Sequence, residues 1–156
     1  MIRLFVANVA GLCAAAWAFW LGYLDQFIGH GVVLIIATVF AYGLAASFVA
    51  MSRIQRAYDD IEVEVAIAKS EHLDVVVKAL FVLGVVGTAW GILTAFGSVS
   101  VEAMATPEGA REAGGKLLSG VGTAYGSSLV GLSLALWMMV NARIVATTAV
   151  IRMSDF

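Results

Sequence analysis

Charge is what this chain withholds from its long apolar stretches. Residues 4–23, 32–51, 80–96 and 117–140 contain no Asp, Glu, Lys, Arg or His. Ionisable groups inside a bilayer are costly and usually mark an ion or proton pathway, so this chain cannot carry protons across a membrane on its own side chains. Cysteine occurs once, at Cys13. That excludes an intramolecular disulfide and leaves the redox compartment open. With two histidines in the whole chain, no cluster has metal-ligand spacing. The net charge of −2 is too small to point to a nucleic-acid partner. No nucleophile–base pair or phosphate loop is present, so the sequence reads as a non-enzyme needing no cofactor and no metal.

What is present is apolar surface. Of 156 residues, 62% are hydrophobic, where a soluble domain averages roughly 45–50%, and the mean hydropathy is +0.96. The excess falls in the four uncharged runs, which predicts an all-α membrane protein with four transmembrane helices and small extramembrane parts. The expected layout is a first transmembrane hairpin over 1–51, a short cytoplasmic helical segment over 52–78, a second hairpin over 79–142 and a cytoplasmic tail over 143–156. Run 4–23 follows Arg3 and has small residues at 14–16, so a cleaved signal peptide is the alternative to a retained span. The run continues through Trp17, Phe19, Trp20 and Tyr23, which favours retention. Trp20 and Tyr23 suit a membrane interface. The short polar turn at 25–30 makes the first two helices antiparallel neighbours. His30 there reads as a solvated histidine at a helix end rather than a proton relay.

Segment 52–78 is the only extended polar stretch. Ile54, Tyr58, Ile61 and Val65 recur at helical spacing. Asp59, Asp60, Glu62 and Glu64 form an acidic patch, read as a solvated face rather than a metal site. The second connection, 97–115, includes Glu102 and the single proline. Thr106 and Pro107 form a helix start, with Thr106 as N-cap and Pro107 in the first helical position. Basic residues set the orientation. Arg3, Arg53, Arg56, Lys69, Lys78, Arg143 and Arg152 fall on one side of a four-span layout, and only Arg111 and Lys116 on the other. The positive-inside rule then places both termini and 52–78 in the cytoplasm.

The run LFVLGVVGTAWGILTAF, 80–96, organises the rest. As a helix it puts Gly84, Gly87, Thr88, Gly91 and Ala95 on one face, a slim stripe with one hydroxyl. That face is expected to line or abut a shared channel. The fourth run carries a second such face. Gly120, Thr123 and Ser127 lie at i, i+3 and i+7, Gly122 and Gly126 form a small-xxx-small pair, and Ser128, Gly131 and Ser133 are nearby. Close packing with hydroxyls bonded back to the backbone explains the glycines. It explains the coincidence of hydroxyls in two spans less well.

LGVVGTAWGILTAF, 83–96, resembles the signature Leu-Gly-x-x-Gly-Thr-x-x-Gly-x-x-x-x-Phe of the MotA/TolQ/ExbB proton-channel family. GVGTAYGSSLVGLSLAL, 120–136, resembles that family's last span, in the right order. The resemblance covers roughly the C-terminal half. It implies a ring of five copies in a bacterial inner membrane around two copies of a one-span ExbD/TolR/MotB-like partner. The partner's membrane aspartate carries the proton, and ion flow drives rotation or force. It also implies that Thr88 and Thr123, with Ser127, are channel-lining hydroxyls, and that Gly84, Gly87, Gly91, Gly122 and Gly126 form the packing or pore face. The chain would then be a short, divergent four-span member, the missing acid being the partner's. It departs from the family in its very short cytoplasmic segment and in lacking a glutamate near the start of the last span. Two other readings stay open: a non-transporting tetraspan scaffold or assembly protein, and a hole-forming lysis protein.

Overall fold

A computed structural model describes residues 1–21, 31–100 and 103–154. Tyr23, the 25–30 turn with His30, and Glu102 lie outside the described residues. All regular structure among the described residues is helical: α1 (Ile2–Trp20), α2 (Gly31–Arg56), α3 (Asp60–Ala68), α4 (His72–Gly97) and α5 (Pro107–Met153), with one 3-10 turn at Ala103–Ala105. This is the architecture of an all-α membrane protein. Three helical stretches, Gly31–Arg56, Asp60–Gly97 and Pro107–Met153, are long and apolar enough to cross a bilayer. The first run forms a shorter apolar helix, Ile2–Ala18.

Two expected boundaries shift. The 143–156 tail is helical as far as Met153, because nothing in ALWMMVNARIVATTAVIRM breaks a helix. The 47 residues of α5 therefore extend ~70 Å, more than twice a ~30 Å hydrocarbon core. Segment 52–78 is divided among the end of α2, all of α3 and the start of α4. Two of its acidic residues, Asp59 and Glu62, serve as caps there. The Asp59 carboxylate accepts from Glu62 N at 2.7 Å, and the Glu62 carboxylate accepts from Tyr58 N at 2.9 Å. Together they satisfy two otherwise orphan donors at the start of α3. At α5, Thr106 Oγ1 accepts from Gly109 N at 3.1 Å and Pro107 opens the helix, as its sequence predicts. One turn on, the exposed Glu112 pairs with Lys116 at 2.8 Å. The hydrogen bond and charge of Lys116 hold its carboxyl below the ordinary value.

Helices α2, α4 and α5 form the bundle, and α1 leans on α5. Packing changes character along the bundle axis. At the end bearing Arg53, Arg56 and Arg152, bulky side chains fill the interior: Met51 and Ile54 from α2, Val63 from α3, Leu73 and Leu80 from α4, Met138 and Val145 from α5, all buried. Arg152 Nη2 closes this end by donating to Ala57 O at 3.1 Å. Where α3 and the helix ends leave the apolar runs, water supplies the hydrophobic driving force for such a core. Beyond Leu80 the α4–α5 contact is made largely by glycine, alanine, serine and Thr88. Lipid tails are as apolar as leucine, so close backbone approach and hydrogen bonds must hold helices together there.

Candidate functional site, a hydroxyl-bearing glycine seam between α4 and α5

The seam follows a strict antiparallel register. A methyl group added at Gly84 would lie 3.3 Å from Gly131 Cα, and one at Gly91 would lie 2.8 Å from Ala124 Cα. One at Gly120 would collide with Ala95 Cβ. Steps of seven and four along α4 are thus answered by equal steps backward along α5. Gly84, Gly87, Gly91 and Ala95 are all buried in this contact.

Thr88 sits in the middle. Its Oγ1 lies 2.7 Å from Ser128 Oγ, 3.0 Å from Ala124 O and 3.2 Å from Gly84 O of its own helix. Ser128 Oγ also reaches Gly84 O at 3.3 Å. A hydroxyl has one proton to donate, so two complete arrangements exist. In one, Ser128 donates to Thr88 and Thr88 donates to Ala124 O. In the other, Thr88 donates to Ser128 and Ser128 donates to Gly84 O. The pair can reverse its hydrogen-bond direction without leaving a polar group unsatisfied. Both side chains are half-buried, so the seam is neither sealed nor open. It has no ionisable side chain along its length, so the Thr88–Ser128 pair is a neutral donor–acceptor element that can reverse.

The other expected residues divide. Ser127 is buried at 4% exposure and donates to Ala124 O at 2.8 Å. It packs on Gly87, where an added methyl would sit 2.7 Å from its Oγ. Thr123 stands apart from this cluster, half-exposed, donating back to Ser119 O at 3.1 Å. Gly126 is buried. Gly122 is exposed, with open space where a side chain would stand. The structure thus brings Thr88, Ser127, Gly84, Gly87 and Gly91 together. It places Thr123 and Gly122 on a neighbouring, uncovered face of α5, beside the exposed Ser119.

A second polar cluster joins α1 to α5 through uncharged residues outside the glycine stripes. Asn8 of α1 and Asn141 of α5 pair through both amides: Asn8 Nδ2 donates to Asn141 Oδ1 at 2.9 Å, and Asn141 Nδ2 donates to Asn8 Oδ1 at 3.1 Å. Trp137 Nε1 donates to the same Asn8 oxygen at 3.0 Å. Asn8 Nδ2 also donates to Leu4 O at 2.8 Å. Both asparagines are buried. The Trp137 ring packs tilted, by 60°, against Phe40 of α2 with centroids 5.0 Å apart, and lies flush on Gly11 of α1. An uncharged but costly polar residue inside an apolar run is the signal that could have found this site, since such a residue needs a partner on another helix.

Comparisons with protein-family models, with curated proteins and with solved structures found no match to this chain.

Proposed function

We propose that the chain is an ion-channel subunit, for protons in the first instance, of a rotary or force-transducing membrane complex. Copies of it surround one-span partner helices that carry the titrating aspartate. The Thr88–Ser128 pair carries this reading: reversible hydroxyls in a charge-free glycine seam, able to serve a carboxylate or a short water chain from outside. The uncovered face at Ser119, Gly122 and Thr123 adds support, since a foreign helix can approach the α5 backbone there. The sequence resemblance supplies the number of copies, a pentamer with two partner helices, and the bacterial inner membrane as location. The uneven distribution of basic residues supports both termini lying in the cytoplasm, by the positive-inside rule. A neutral, low-dielectric lumen raises the pKa of a partner aspartate toward neutrality. Moving each charge across the membrane then yields ~2.3 kcal/mol per 100 mV.

The test is co-purification from native membranes in mild detergent, followed by proton flux in proteoliposomes. The expected result is a one-span partner with an intramembrane Asp, and flux that Thr88→Val reduces while assembly persists. Recovery of the chain alone, or full flux in the variant, contradicts the proposal. A second reading, a non-transporting scaffold, is favoured by one observation: every seam hydroxyl already has an acceptor within the chain. That reading predicts a monomer or irregular oligomer with no lumen.

A further inference from the structure

Helices α1 and α5 meet at the asparagine cluster and at Gly11 and Trp137, and an open apolar groove of about 800 Å³ lies along that contact. Ala7, Ala14 and Ala18 form one wall, Leu129 and Leu136 the other, and Val140 its lower end. Val140 also lines a second cleft of about 230 Å³, where Arg3 of α1 and Arg143 of α5 face the same space with Thr147. The apolar groove and the basic cleft thus adjoin at Val140, on the side of α5 that also bears Arg143. Neither arginine has an ion-pair partner among the described residues.

We infer that this groove holds one acyl chain of an anionic phospholipid, whose phosphate sits between Arg3 and Arg143. The assignment does not depend on the channel reading. Three observations select the occupant. From Ala7 to Ala18, and from Leu129 to Val140, each wall rises eleven residues, ~16 Å, about half of a ~30 Å hydrocarbon core. The groove thus has the depth of one leaflet. Its lining is mainly alanine, leucine and valine, with Trp137 and Ser133 among them and no charge, which suits a flexible methylene chain. Its mouth is cationic, at the level where a leaflet's phosphates lie. A helix from a second copy suits it less well. Copies inserted in the same direction bring their own arginine-rich ends, Arg53, Arg56 and Arg152, to the same level, against Arg3 and Arg143.

The experiment uses the full chain in nanodiscs of phosphatidylglycerol and phosphatidylcholine in equal amounts, released into detergent and read by native mass spectrometry. The expected result is one retained phosphatidylglycerol per chain, with little phosphatidylcholine. The double variant Arg3→Gln/Arg143→Gln should lose that preference by roughly ten- to thirtyfold, the effect of two basic groups at a membrane surface. Ala14→Phe keeps both arginines but fills the groove, and should retain neither lipid. Circular dichroism and gel filtration establish that each variant folds. Equal retention of both lipids, or an unchanged preference in the arginine variant, overturns the proposal. So does displacement of the lipid by excess inorganic phosphate, which assigns the mouth to a free anion. Disulfide formation between copies of Cys13→Ala/Ala14→Cys likewise overturns it by placing a second copy in the groove.

Discussion

Thr88 and Ser128 stand forty residues apart in sequence, and their hydroxyl oxygens lie 2.7 Å apart across two antiparallel helices. Glycines make that distance possible. Gly84 and Gly91, one turn to either side of Thr88, let the backbones of α4 and α5 approach closely enough for two short side chains to meet. The same pair is both a helix–helix bond and the polar element of a charge-free seam, so its two roles need separate measurements.

Replacing Thr88 by Val keeps the shape and removes the hydroxyl. Hydrogen bonds between membrane helices average ~0.6 kcal/mol and reach about 1.7, so unfolding in mixed detergent should shift by that amount and no more. Thr88→Ser, which keeps the oxygen, should restore stability. It should restore ion flux as well if the hydroxyl serves the path. A flux loss far larger than the stability loss separates conduction from packing.

The glycine register predicts a contrast. Gly131→Ala puts a methyl 2.6 Å from Gly84 Cα and 2.9 Å from Leu80 O, both backbone atoms that cannot turn aside. The helices must separate, at a cost of about 1–3 kcal/mol. Gly122→Ala meets nothing within 4 Å and should be neutral, or stabilising by up to ~1 kcal/mol through helix propensity. Equilibrium unfolding followed by tryptophan fluorescence distinguishes the two. In an assembled complex, Gly122→Ala becomes harmful only where another helix covers that face.

The asparagine pair should behave as a unit. Asn8→Leu leaves Asn141 and the Trp137 N–H short of a buried partner, and Asn141→Leu leaves Asn8 short. Each should cost about 1–2 kcal/mol. The double variant should cost less than the two together, because no amide is then stranded. A double-mutant cycle that is strictly additive contradicts the pairing. In a background with Trp17, Trp20 and Trp90 replaced by Phe, the Trp137 emission spectrum reports the same event locally, since its Nε1–H donates to Asn8.

Orientation is open to direct labelling. In a Cys13→Ala background, Ser154→Cys should react with an impermeant maleimide only when the cytoplasmic face is accessible, and Glu108→Cys only from the opposite face. The native Cys13 is exposed on α1 within an uncharged run, so in the membrane it should resist the aqueous reagent altogether. Labelling of residues 154 and 108 from the same side contradicts an α5 that crosses.

How far the sequence reveals this arrangement depends on the kind of information needed. The stripe Gly84, Gly87, Gly91 and Ala95 was legible because a helical period fixes one face, and that face is buried. The cap at Thr106–Pro107 was legible for the same local reason. Which face of α5 answers that stripe was not legible. Gly122–Gly126 and Gly120–Ala124 are equally good small pairs, and successive residues turn by about 100°. Only the neighbouring helices decide that Ser128, rather than Thr123, meets Thr88. Asn8 and Asn141 were illegible as a pair because 133 residues separate them. The length of α5 is not legible in the sequence, because Asn141 and Arg143 end an apolar run without ending the helix.

The proposed channel requires that the half-buried edge of the α4–α5 seam, with the uncovered face at Ser119 and Thr123 beside it, face an axis shared by several copies. Imaging the particle purified from native membranes in mild detergent tests this most directly. The account predicts a fivefold ring with the α4–α5 seam innermost and separate helices filling its centre. A monomer, or a ring whose α4 and α5 face the surrounding lipid, contradicts it.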